Sequence, residues 1–149
     1  MKRKSFVVII CVSILILAGV IPAGIVLFER NKNVGVTQLD TYEITEEGYR
    51  TISMNEAKEL FDREGDYIIL DVRREDEFAE GHIPGAINIP NEDIGYDTLT
   101  EIPDRGKVIF VYCRSGRRSK EASAKLASAG YTNVVECGGI LDWTGETVK

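Results

Sequence analysis

The stretch KVIFVYCRSGRRSK, residues 107–120, decides the fold. Lys107-Val-Ile-Phe-Val-Tyr112 is an unbroken apolar run, the pattern of a strand covered on both faces rather than one with a wet side. Cys113 follows it directly, and Ser119 to Ala129 (SKEASAKLASA) reads as a strong helix with Gly130 behind it. A buried strand, a tight turn containing glycine and a helix form the first half of a strand–helix–strand unit. Such units build parallel sheets.

Working outward, Thr132 to Glu136 is the next strand, Gly138-Gly139 breaks it, and Ile140 to Trp143 makes a C-terminal helical turn. Upstream, a short strand near Thr51-Ile52 leads into Ser53-Met-Asn-Glu56, a capping box that opens a helix. Ala57, Leu60 and Phe61 form the buried face of that helix, and Gly65 is its expected stop. Tyr67-Ile-Ile-Leu70 is a second continuous apolar strand. Glu75 to Glu80 gives a short acidic helical turn ended by Gly81. Ala86-Ile-Asn-Ile89, bracketed by Pro84 and Pro90, is a short strand expected at an edge. Asn91 to Ile102 is helical or irregular. The alternation predicts an α/β domain over residues 50–149, with a parallel sheet and helices on both faces.

Charge singles out one place in this domain. Three of the 18 basic residues (Lys2, Arg3, Lys4) precede the first acidic residue, Glu29, leaving 15 against 24 acidic residues beyond it, net −9. Four of those 15, Arg114, Arg117, Arg118 and Lys120, fall in the eight positions that begin at Cys113. A strand-to-helix loop turns backbone N–H groups inward and adds the positive end of a helix dipole. Both stabilise an anion, and a thiolate in such a setting ionises well below its ordinary range. The plain alternative is a buried cysteine beside an exposed basic helix start. An acidic body argues against nucleic acid as a partner. Three cysteines (Cys11, Cys113, Cys137) and the single His82, without a CxxC, make neither a zinc site of ordinary spacing nor a disulfide framework.

Cys113-Arg-Ser-Gly-Arg-Arg-Ser119 resembles the active-site loop of single-domain rhodaneses, the thiosulfate sulfurtransferases. Asp71-Val-Arg73 with Glu77-Phe78, the run Gly81-His-Ile-Pro-Gly-Ala-Ile-Asn-Ile-Pro90, and Gly138-Gly-Ile-Leu-Asp-Trp143 are similar to further hallmarks of that family, in its order. The resemblance implies a five-stranded parallel sheet and a double displacement. The Cys113 thiolate takes the outer sulfur of thiosulfate, sulfite leaves, and a thiol or cyanide acceptor removes the sulfur from the persulfide. Arg114, Arg117 and Arg118 are then candidates to bind the sulfonate, with the loop of Ser115, Gly116 and Ser119 cradling the persulfide. Asp71 and Arg73 are supporting candidates, although Asp71 can equally cap the turn beyond its strand. His82 reads as a turn anchor and Trp143 as core. No metal or organic cofactor is required.

Two other functions are weighed against this one. Cysteine phosphatases and arsenate reductases carry Cys-x5-Arg, whereas the sixth residue after Cys113 is Ser119 and the arginines stand at four and five. Tyr112 also occupies the position where those phosphatases commonly carry histidine. A non-catalytic docking module usually loses the cysteine or the loop, and this chain keeps both. Cys137 ends the strand after that of Cys113, and the resemblance places the two strands side by side. It is therefore either a small packing residue or a resolving thiol that protects Cys113 from irreversible oxidation.

With 149 residues, 44% of them hydrophobic, the chain accommodates one membrane segment and one domain of about a hundred residues. Phe6 to Phe28 holds no charged residue in 23 positions, enough to span a hydrocarbon core, behind the basic tip of residues 1–5. The positive-inside rule predicts a single-pass signal anchor with the domain extracytoplasmic. Cleavage after Ala18 or Ala23 is the alternative, but Ile precedes each at the −3 position. Cys11 lacks the small residue that a lipoprotein signal puts before its cysteine. Residues 29–49 are polar with isolated apolar positions and read as a linker.

Overall fold

The computed structural model describes residues 39–149 apart from Glu64. The expected basic tip, membrane segment 6–28 and first half of the linker lie outside the described residues. Among the described residues no helix is long and apolar enough to cross a membrane.

Five strands form one parallel sheet: β1 (Arg50–Thr51), β2 (Tyr67–Asp71), β3 (Ala86–Asn88), β4 (Val108–Cys113) and β5 (Asn133–Gly139), in the order β1-β5-β4-β2-β3. The five-stranded parallel sheet expected from the sequence is therefore present. Strand β4 sits at its centre with all six residues buried, as its unbroken apolar run requires. Strand β3, between two prolines, is at an edge, where a missing N–H donor breaks no ladder.

Helices cover both faces. Helix α1 (Met54–Phe61) opens on the predicted capping box, with the Glu56 N–H donating to Ser53 Oγ and the Ser53 N–H to Glu56 Oε2. It buries Met54, Ala57 and Leu60, and ends at Asp62, ahead of Gly65. Helix α2 (Glu75–Glu80) buries nothing, and α3 (Arg117–Ser128) buries Ser119, Ala122, Ser123 and Leu126. Alternation along the central strand feeds two cores. Val108, Phe110 and Tyr112 pack with the α1 residues, while Ile109, Val111 and Cys113 pack with Ala122 and Leu126 of α3.

Three features differ from expectation. Helix α3 begins at Arg117, so Arg117 and Arg118 belong to its first turn and the loop shrinks to Arg114-Ser115-Gly116. Gly116 caps the helix with φ +97°, a conformation that favours glycine. Strand β5 runs through Gly138-Gly139 instead of breaking there, followed by a 3-10 turn at Ile140–Asp142. A Cβ on Gly139 would drive into the Arg114 carbonyl and Ser115 Cα, so glycine lets the strand approach the loop. Finally, residues 39–49 pack onto the domain rather than stand off it. Leu39 is fully buried, Tyr49 nearly so, and Ile44 bridges Arg50. The isolated apolar positions of that polar stretch are its points of attachment.

Candidate active site

Cys113 ends the central strand, and the chain turns within three residues into α3. Only 1% of the residue is exposed. The Gly116 N–H donates to its Sγ at 3.1 Å, and the Ser119 hydroxyl lies 3.6 Å away. Burial alone would push the thiol up. The Ser119 hydroxyl together with the N–H groups of Ser119, Ser115 and Gly116 outweighs it and holds the thiol below its ordinary value. A thiolate in such a ring is a stabilised nucleophile.

The sulfur faces a cleft of about 660 Å³ lined by Arg73, Arg74, Arg114, Arg117 and Arg118, by Asp76, Glu77, Glu80 and Glu92, and by Ile140 and Leu141. Its cations are not equivalent. Arg118 is half-buried and held by Glu77 through two bonds, Nη1 to Oε2 at 2.7 Å and Nη2 to Oε1 at 2.9 Å. That pair raises the guanidinium further above its ordinary value and lowers the Glu77 carboxyl, and the Cys113 thiolate adds to the pull on Arg118. Arg117 is 80% exposed and, among the described residues, pairs with Glu121 at 3.7 Å, a solvated pair of little energetic weight. Arg114 is exposed.

Asp71 and Arg73 form a separate buried unit. The Arg73 guanidinium donates to both Asp71 carboxylate oxygens, with Nη2 to Oδ2 at 2.7 Å, and reaches the Gly81 carbonyl at 2.7 Å. Asn88 Nδ2 donates to the carbonyls of Asp71 and Arg73. Asp71 is therefore spent on a clamp that fixes the turn after β2 and its neighbour β3, while Arg73 also borders the cleft. Tyr112, pushed up by burial and then by Asp71, accepts from the Ile83 N–H. His82 stacks on Phe78 at 3.7 Å and its Nδ1 meets the Phe78 carbonyl, which makes it the turn anchor it resembles. Trp143 packs partly buried against the α1 core.

Two residues of this neighbourhood were invisible as site residues in the sequence. Glu77 appeared only within a motif, and its partner lies 41 positions away. Glu136, 1% exposed in β5, accepts from the Ser119 hydroxyl at 2.6 Å and from the Gly138 N–H at 2.8 Å. A charge inside the run Asn133-Val-Val-Glu-Cys137 was the only signal. Cys137 packs in the α1 core, its Sγ near the Val135 carbonyl, and burial raises it well above the ordinary thiol value. Cys113 belongs to the opposite core, and its ladder partner is Gly139. The two side chains point to opposite faces, which supports packing over a resolving role.

Residues 53–146 match the family profile described as Rhodanese-like domain. The chain belongs to this rhodanese-like family. It is 38% identical over 80 residues to the thiosulfate sulfurtransferase PspE of Escherichia coli strain K12, which spans 54% of this chain and 77% of that protein. It is 36% identical over 98 residues to the putative sulfurtransferase YtwF of Bacillus subtilis strain 168, covering 66% and 93% respectively. Among solved structures, a rhodanese with anions from E. coli superposes with a TM-score of 0.52 at 36% identity, over 56% of this chain and 98% of that one. A rhodanese-like domain protein from Staphylococcus aureus gives 0.57 at 30%, over 64% and 92%. Membership of this family supports a general sulfurtransferase role for the chain.

Proposed function

We propose that the protein moves a sulfane sulfur from thiosulfate or a persulfide donor to a thiol or cyanide acceptor through a persulfide on Cys113. The observation that carries this reading is the ring of N–H donors and the Ser119 hydroxyl around the Cys113 sulfur. In the first half-reaction the thiolate electron pair forms an S–S bond to the outer sulfur of thiosulfate, and the old S–S bond breaks with its pair leaving on sulfite. In the second, an acceptor thiolate or cyanide attacks the terminal sulfur and the Cys113–S bond breaks, returning the pair to Cys113. The N–H groups of Ser115, Gly116 and Ser119 hold the anionic sulfur in both steps. Arg114 and Arg117, exposed at the cleft mouth, receive the sulfonate, while Arg118 is fixed closer in by Glu77.

A phosphatase reading finds less support. The loop closes on Ser119, whose hydroxyl turns inward to Gly116 and Glu136, where an arginine fork for a phosphate would be needed. Mass spectrometry of the purified protein after thiosulfate treatment tests the proposal. One added sulfur atom on the Cys113 peptide is expected, and an unmodified peptide overturns it.

We also propose, from the sequence, that residues 6–28 anchor the chain in a membrane with the domain outside the cytoplasm. Protease shaving of intact cells checks it: digestion before lysis is expected, and protection until lysis reverses the topology.

A further inference from the structure

Sulfur transfer by the loop and its cations leaves Glu136 without a task, yet this buried carboxylate sits one hydroxyl away from the nucleophile. Its Oε1 accepts from Ser119 Oγ at 2.6 Å, and the same Oγ lies 3.6 Å from Cys113 Sγ. The serine has one hydroxyl proton. Its remaining oxygen neighbours, the carbonyls of Gly116 at 2.9 Å and Gly138 at 3.2 Å, only accept and have no proton to give. A Cys113 thiolate and an ionised Glu136 would therefore compete for one donor inside a dry site, and the loser would face lone pairs.

The same heavy-atom positions accommodate a different arrangement. We propose that Cys113 and Glu136 share one proton through Ser119, which makes Glu136 a positioning residue for the nucleophile. In one form the Cys113 S–H donates to Ser119 Oγ, and the Ser119 O–H donates to the Glu136 carboxylate. In the other, the S–H bond has broken with its electron pair left on sulfur, and its proton has become the new Ser119 O–H proton. The former hydroxyl proton now resides on Glu136 Oε1, so the carboxyl donates to serine and serine donates to the thiolate. One negative charge is conserved throughout. Within the pair the proton moves without crossing to solvent, and as pH rises the pair releases it, leaving the thiolate beside a carboxylate that still accepts from the Gly138 N–H.

Other titratable groups near Glu136 are Tyr49 and Arg50 at β1 and Cys137 beside it on β5. Lys120 and Asp142 border the cleft that Glu136 lines behind the loop. None of these contacts both Ser119 and Cys113 among the described hydrogen bonds.

The inference deepens the sulfurtransfer reading, but its test reads alkylation and needs no sulfur transfer, so the two can fail separately. Glu136→Gln is isosteric and takes up no proton: its neutral carbonyl at the Oε1 position accepts from Gly138 and claims the serine proton less firmly than a carboxylate, leaving more of it for sulfur. The midpoint of Cys113 alkylation against pH is expected to fall, with alkylation about tenfold faster below the wild-type midpoint. In a Ser119→Ala background the same change should shift the profile much less. Coincident profiles for wild type and Glu136→Gln, or an equal shift without the serine, overturn the proposal. In the unmutated protein, difference infrared spectroscopy supplies an independent reading. A protonated carboxyl band should appear as Cys113 ionises and be absent from Cys113→Ser. Thiolate formation without that band also overturns it.

Discussion

Cys113 closes β4, Cys137 lies near the end of its neighbour β5, and the two have opposite chemistry. Both are 1% exposed. Cys113 faces the α3 core edge, where the chain turns into a helix and offers N–H groups, and its thiol is held low. Cys137 faces the α1 core, where burial dominates, and its thiol is pushed well up. Depth therefore does not set reactivity; the donors within hydrogen-bond reach of the sulfur do. The face of the sheet to which a strand residue points is enough to move a thiol from one regime to the other.

The sharpest way to break this contrast is exchange of each thiol for a hydroxyl. Cys113→Ser should abolish thiosulfate:cyanide sulfur transfer and persulfide formation while the fold survives, because serine is near-isosteric but carries no sulfur. Cys137→Ser should leave transfer near wild type and lower stability by about 1–3 kcal/mol, the cost of a buried hydroxyl without a good partner. Turnover and denaturant midpoints measure the two effects. Activity lost equally in both variants would dissolve the distinction.

Oxidation probes the same geometry. Mild peroxide should leave no peptide linking Cys113 to Cys137, because side chains on opposite faces of a sheet cannot be bridged without backbone movement. Cys137 should be alkylated only after denaturation. Non-reducing peptide mapping decides, and a linked pair in folded protein would restore the resolving role.

A smaller effect separates the cations that favour Cys113. Arg118→Ala removes a guanidinium that interacts with the Cys113 thiolate, and it strips Glu77 of its bidentate partner beside the cleft. Thiosulfate kcat/KM should fall by about tenfold or more, the scale of one lost charge-assisted pair. Arg117→Ala, at an 80% exposed side chain, should cost only a few-fold and mostly in KM. Steady-state kinetics on the two variants ranks them, and a larger loss from Arg117 would reverse the assignment.

Much of this was legible in the sequence because local signals agreed. The unbroken apolar run of β4 announced a doubly covered strand, Ser53-x-x-Glu56 a helix start, and the prolines around Ala86 an edge. The basic run after Cys113 marked the site within an acidic domain. What escaped depends on contacts far apart in the chain. Arg117 and Arg118 read as loop because charge masked a helix start fixed by the backbone of Gly116. Gly138-Gly139 read as a breaker, yet β5 runs through both: Gly138 takes φ +82°, and at Gly139 the Arg114 carbonyl passes too close for a side chain. Leu39 carried no period, and its burial exists only through the α1 core it joins. Asp71 sat at the right sheet edge for catalysis, but the guanidinium two residues on claims both its oxygens.

The last and smallest effect lies in how stability varies with pH, where the two thiols should pull in opposite directions. Cys113 ionises more easily folded than unfolded. Between its lowered folded value and the unfolded value of about 8.5 the unfolded chain binds more protons, so stability rises with pH across that window and is lost as pH falls through it. Cys137 stays protonated in the fold after the unfolded chain has released its proton. Its contribution is complete below about pH 8.5 and declines as pH rises beyond that. Each limb involves at most one proton, on the order of 1.4 kcal/mol per pH unit. Denaturant unfolding across neutral to alkaline pH should therefore show a rising limb that Cys113→Ser removes and a falling limb that Cys137→Ala removes. Variants that shift the whole curve without changing either slope would mean that neither thiol changes its protonation on folding, and the contrast between the two faces would then concern packing alone.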